Sequence, residues 1–240
     1  MAMFGLFGSK SDGSQVKKLA ERVANKRGQS PDRWEAIEAL AKLRTEESVA
    51  ALLPRFTFYV EPSISDQEEK DTAFNAIIAA GSIAVAPVVT FLKRAESISW
   101  PVKMLERLAG PEALIERLME LLGPMDTEYE RDPQKKIQVL VELEERRDPR
   151  IAAAVARFLS DANETVRFHA ACTLLGQSDA AEYRGALAAR IEQEESVRVR
   201  VRVLDGFVQA GWPLESASPG LRARLPAGFS IDPKGALKKG

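Results

Sequence analysis

The chain has 240 residues, 45% hydrophobic and 29% charged, with a formal net charge of −1 and a pI near 6.1. That balance excludes a disordered chain and argues against a protein that holds nucleic acid mainly by phosphate neutralisation. A single cysteine, Cys172, rules out an intramolecular disulfide and points to a reducing, cytoplasmic setting, and no apolar run approaches the roughly 18 residues of a membrane span.

Residues 1–14 read as disordered, with Met3–Phe7 (Met-Phe-Gly-Leu-Phe) leaving one membrane option, a peripheral contact with an anionic surface. Gln15 to Lys26 predicts a short amphipathic helix with Val16, Leu19, Ala20 and Val23 on one side, placed to cap the first helix pair. From there helical patterns come in pairs. Trp34–Leu40 is followed by Val49–Leu53. Ala73–Ile78 is followed, past Gly81, by Val85–Val89. Met104, Leu105 and Leu108 are followed by Leu114, Ile115 and Leu118. Ile137, Leu140 and Val141 are followed by Ile151, Val155 and Phe158. Asp161–Gly176, DANETVRFHAACTLLG, places Val166, Ala170, Ala171, Leu174 and Leu175 on one face. Tyr183, Ala186, Leu187 and Ile191 then form its partner.

Ser196–Leu204 alternates Val and Arg with period 2, a strand signal, yet Val197, Val201 and Leu204 also share one helix face. The repeat register places the segment in a first helix. Residues 211–240 predict an extended tail with a weak helical piece near Leu221. Gly81, Gly110 and Gly176 stand where a first helix should end, and Pro101, Pro111, Pro133 and Pro149 where helices should start.

Equivalent first-helix positions are Arg33, Lys70, Pro101, Gln134, Arg167 and Arg198, spaced by 37, 31, 33, 33 and 31 residues. One pair cannot bury its apolar face alone, but a stack of pairs shares a core. The reading is an all-α, right-handed α-solenoid of about six helix pairs over residues 15–210. Within it, Asp161, Val166, Arg167, Ala170, Ala171 and Leu174 resemble the Asp-x-x-x-x-Val-Arg-x-x-Ala-Ala-x-x-Leu pattern of short HEAT-like repeats of the phycobilisome-lyase type. The match is good at 161–176, partial at 31–56 and 67–94, and poor at 98–122 and 132–159. Signatures of tetratricopeptide and ankyrin units are absent. The resemblance implies an architecture and leaves function open, because such repeats serve many tasks.

No catalytic constellation is found, and no cofactor or metal is expected. His169 and Cys172 lie three apart but are one His and one Cys, too few for zinc, and His169 alone could serve a triad as base. Glu46-Glu47, Glu68-Glu69, Glu144-Glu145 and Glu194-Glu195 read as solvated charge. Charge is segregated, +3 over residues 1–60, −7 over 61–148 and +3 over 149–240. Two linkers, Phe56–Asp66 and Gly123–Asp132, each carry an aromatic amid polar residues, and solenoid insertions collect on a binding edge. The expected function is a non-enzymatic, monomeric scaffold that binds a protein partner. Its surface is either the concave face or the loop edge, with Tyr59, Asp126, Tyr129 and Glu130 as candidates. Arg198, Arg200 and Arg202 form the densest basic cluster, with Arg198 and Arg202 on one helix face; with Arg167 and Arg190 nearby it offers a contact for phosphate or an acidic partner, with salt bridges to Asp161, Glu194 or Glu195 as the plainer alternative. Nucleic acid is the runner-up, through the resemblance of helical repeats with Trp34, Trp100 and Trp212 to HEAT-like alkylpurine DNA glycosylases. No Asp–Trp constellation matches that family.

Overall fold

The computed structural model describes residues 8–214 and 217–240; the Met3–Phe7 segment lies outside them. The described residues are predominantly α-helical and end in a two-stranded hairpin. They divide into two compact units, the first ending at Leu114 and the second beginning at Ile115.

The first unit holds α1 (Gly8–Ala24), α2 (Ser30–Leu43), α3 (Glu46–Leu52), α4 (Ser63–Ala79), α5 (Val85–Arg94) and the start of α6 (Ser99–Leu122). Helix α1 begins seven residues before the expected Gln15, so residues 8–14 are helical rather than disordered. It packs on α2 and α3. Helix α2 packs on α4, and α3 on α5, so first helix meets first helix and second meets second. Val23, Ile37, Leu40, Ile77 and Val88 are wholly buried. Each large apolar side chain buried this way contributes about 1.5–3 kcal/mol. Helix α6 is broken by Gly110, whose φ of 85° and ψ of 171° are open to glycine; Pro111 then starts its second half.

The second unit contains the end of α6, α7 (Gln134–Glu144), α8 (Ile151–Val155) with a 3₁₀ extension, α9 (Glu164–Gly176), α10 (Arg184–Gln193), α11 (Val197–Ala210) and α12 (Pro219–Ala223). Helix α7 packs on α9 and α9 on α11. The alternating Val-Arg segment is helical, capped by Ser196, whose hydroxyl accepts from Val199 N at 3.4 Å. Its buried face is Val199, Val203, Leu204 and Phe207; Val197, expected inside, is 56% exposed. Gly206 fixes that rotation. A Cβ there would lie 2.5 Å from Leu175 Cδ2, so α11 presents backbone to α9 at this point. Gly176 does not take a left-handed end; Asn163 caps α9 at its start and Gln177 is its extended C-cap.

The C-terminal region folds back as a hairpin, where an extended tail was expected. Strands β1 (Phe229–Ile231) and β2 (Leu237–Lys239) pair antiparallel, with Ser230 opposite Lys238. Asp232 Oδ1 accepts from the backbone N–H groups of Lys234 (2.8 Å) and Ala236 (2.9 Å), which closes the turn. The hairpin is tied down by Leu214 N–H to Gly235 O at 2.8 Å and by Lys239 to Asp205 at 2.6 Å. Strands of three residues are too short to leave a periodic signal.

No single described helix is long and apolar enough to cross a membrane. Helices α4 and α5 together pass on composition as a bent pair, but Ala73, Ile77, Val88 and Leu92 are buried in the first unit's core.

Candidate interaction site

The loop between α6 and α7 is short of regular structure and yet pinned along its length. Arg157 Nη2 donates to Leu122 O and Gly123 O, both at 2.9 Å. Asp126 Oδ1 accepts from Glu128 N at 3.1 Å, and Thr127 O accepts from Ala162 N at 2.9 Å. Lys136 rises from the first turn of α7 beneath it, with only 2% of its surface exposed. Its ammonium donates to Asp126 O (2.7 Å) and Asp161 Oδ2 (2.9 Å), lies 3.5 Å from Glu130 Oε2, and sits 5.8 Å from the Phe158 ring. Two hydrogen bonds and two carboxylates thus compensate the buried cation. At the apex Tyr129 is 84% exposed. A backbone already fixed lowers the loop-ordering cost of presenting an exposed aromatic to a partner.

Asp126, Tyr129 and Glu130 thus belong to one surface. Tyr59 belongs to the first unit, 46% exposed, with the Lys70 ammonium 5.8 Å from its ring. Slight burial and then the Glu61 carboxylate push its phenol above the usual tyrosine value. Its linker is fixed by Val60 N–H to Asp66 Oδ1 (3.1 Å) and Arg55 Nη1 to Phe58 O (3.2 Å).

Arg198 and Arg202 face α9. The Arg198 guanidinium lies 3.7 Å from the Phe168 centroid and 3.4 Å from Glu164; Arg202 Nε donates to Cys172 Sγ at 3.1 Å. The acid that Arg198 meets is therefore Glu164, while the expected bridge to Glu194 is made by the neighbouring Arg167 and Arg190. Burial pushes the Cys172 thiol above its usual value, against the pull of Arg202. His169 Nδ1 lies 3.0 Å from Glu144 Oε2, a bridge between α9 and α7. Among the described residues no cluster of three or more His, Cys, Asp or Glu is arranged to hold a metal ion.

The largest feature missed from the sequence is a buried ion network in the first unit. Glu69, wholly buried, accepts from Arg33 Nε (2.9 Å) and Nη2 (3.0 Å), Arg55 Nε (2.6 Å) and Ser30 Oγ (2.6 Å). Asp66 accepts from Arg55 Nη2 and Lys70 Nζ, both at 2.7 Å. Burial raises both carboxyl pKa values, but the hydrogen bonds from Arg33, Ser30 and Arg55 to Glu69, and from Lys70 and Arg55 to Asp66, hold them below the ordinary range. The second unit repeats the device. Arg167 grips buried Glu194 through Nε and Nη2, both at 2.8 Å, while its Nη1 donates to Asp161 O and Ala162 O. Arg33 likewise uses Nη1 on Asn25 O and Gly28 O. Arg33 and Arg167 are equivalent positions of the sequence register. Glu69 and Glu194, expected to be solvated, are the buried halves of these clamps.

Between α7 and α8, Asp148 receives Arg150 Nε and Nη2 at 2.8 Å each and the Arg150 backbone N–H at 2.9 Å. These bonds hold its carboxyl at about 2, from an ordinary 3.8. We expect an NMR titration to place the Asp148 midpoint at about 2, and Arg150→Ala to return it toward 3.8. An unmoved midpoint in the variant would contradict the assignment.

No family model matches the chain, and no curated protein matches it significantly.

Proposed function

We propose that the chain is a non-enzymatic protein-interaction scaffold, a HEAT-like α-solenoid that receives its partner on the loop edge around Tyr129. The observation that carries the loop-edge reading is the combination at residues 123–132: a backbone fixed by Lys136, Arg157 and Ala162, and a tyrosine 84% exposed. Rigid exposed aromatics are the residues that dominate interface energies. The solenoid reading is supported by first-on-first packing of successive helices and by the recurrence of one arginine clamp at Arg33 and Arg167. Nucleic acid has less support. Trp100 packs against Phe56 and Phe74 at 4.9 and 5.9 Å, and Trp212 stands edge-on to Phe207 at 5.3 Å, so two of the three tryptophans are engaged inside their own units.

Tyr129→Ala is expected to weaken partner binding by about 2 kcal/mol, roughly 30-fold in Kd, with no change in helicity. Affinity capture from lysate with wild-type and variant protein, quantified by mass spectrometry beside circular dichroism spectra, checks it. Equal recovery of the captured partner by both proteins would remove the loop edge from the reading.

A further inference from the structure

We infer that the Tyr129 loop is a docking surface for the basic C-terminal end of a second copy of this chain, giving head-to-tail association. This rests on the loop-edge reading and names its occupant. Residues 196–240 carry 8 basic and 3 acidic side chains, a net +5, while residues 1–195 carry 26 and 32, a net −6. Positive charge is thus concentrated at the C-terminal end of the chain.

Part of that basic end pairs with acids, Lys239 with Asp205 and Arg198 with Glu164, but among the described residues Arg222 and Arg224 do not. Arg222 donates to Ile231 O and Asp232 O, and Arg224 to Gly220 O and Glu192 O, all backbone carbonyls. The neighbouring carboxylates are engaged elsewhere. Glu192 caps Ser218, Asp232 closes the hairpin turn, and Asp205 pairs with Lys239. Lys234 and Lys238 are exposed. The loop is the complement. Asp126, Glu128, Glu130 and Asp132 against Arg131 give it a net −3, with Tyr129 standing out among them as a face for a guanidinium. A long polyanion would meet the −6 of the remaining chain, whereas a compact acidic patch fits the end alone. Because the two surfaces differ, the association is heterologous and open-ended.

Sedimentation velocity of the full chain tests this. In about 20 mM salt the weight-average mass should rise above 26.4 kDa with concentration, from about 10 to about 300 µM, and return to 26.4 kDa in about 500 mM salt. Glu128→Lys with Glu130→Gln disables the loop. Lys234→Glu with Lys238→Glu disables the end at two exposed side chains. Each double variant should associate at least about tenfold more weakly than wild type. An equimolar mixture should recover a 1:1 complex, since it holds one intact loop and one intact end. A wild type that stays at 26.4 kDa throughout, or a mixture that fails to recover, overturns the inference. So does preferential capture of a labelled DNA duplex by the basic end. If the wild type is monomeric while Tyr129→Ala still loses a lysate partner, the inference falls and the loop-edge reading stands.

Discussion

Replacing Glu69 with glutamine is expected to lower the unfolding free energy by about 3–5 kcal/mol, a large share of the roughly 5–15 kcal/mol available to a folded domain. Glu69 is the carboxylate partner of Arg33, and it shares Arg55 with Asp66. Arg55 is wholly buried and Arg33 is 3% exposed. The amide keeps the volume but removes the charge and turns a donor toward donors, so buried guanidinium groups are left without compensation. Urea denaturation of both proteins measures the difference; a loss below about 1 kcal/mol would mean that water replaces the carboxylate. The acid limb offers a second check. Because the folded pKa of Glu69 is depressed below its ordinary 4.5, its contribution is complete above that value. It is lost as pH falls through the folded pKa. The wild type should therefore shed more stability than the variant on acidification below about pH 4.

Lys136→Met should be of similar size, about 3–5 kcal/mol, and should also touch the proposed interaction site. The methionine fills the space under the loop but leaves Asp161, whose side chain is 1% exposed, with a buried charge that has lost its cation. Asp126 O loses its donor at the same time. Hydrogen exchange should accelerate at the amides of residues 126–130 beyond the global change, and the loop's partner should bind more weakly although Tyr129 is intact. If stability falls while those amides keep their protection, Arg157 and Ala162 alone hold the loop, and Lys136 has no part in presenting Tyr129.

Much of the helical plan is legible because burial repeats at 3.6 residues. Val166, Ala170, Ala171 and Leu174 are all buried as their spacing predicts. The six register positions Arg33, Lys70, Pro101, Gln134, Arg167 and Arg198 all fall in helices, α2, α4, α6, α7, α9 and α11 in turn. The rotation of a helix is harder to read. In α11 a Val-Arg alternation offers two faces, and the contact of Gly206 with Leu175 selects the one that buries Val199 instead of Val197. The same difficulty hid the clamps. Glu68 and Glu69 are identical as neighbours, and only Glu69, four residues before Ala73, lies on the buried side. A charged residue continuing an apolar stripe was the available signal, but its partner Arg55 comes from a 3₁₀ turn that periodicity does not place. Of the candidate loop, the exposure of Tyr129 among acidic neighbours was legible. The ammonium beneath them was not, since Lys135 and Lys136 differ only in which one the helix turns inward.

The clamps also bear on how the chain reaches this state. Ser30 and Glu69 are 39 positions apart, Arg33 and Glu69 36, and Arg167 and Glu194 27, in a chain of 240 residues. Each closes a short loop, so little chain entropy is lost before a contact forms. Topologies built from such near neighbours fold fast for their size. During synthesis, the arginine of one pair can meet its glutamate as soon as about 40 further residues have left the ribosome, long before the last helix exists. Stopped-flow refolding should accordingly show a main phase on the millisecond scale, and one slower than about a second would indicate that distant segments set the rate.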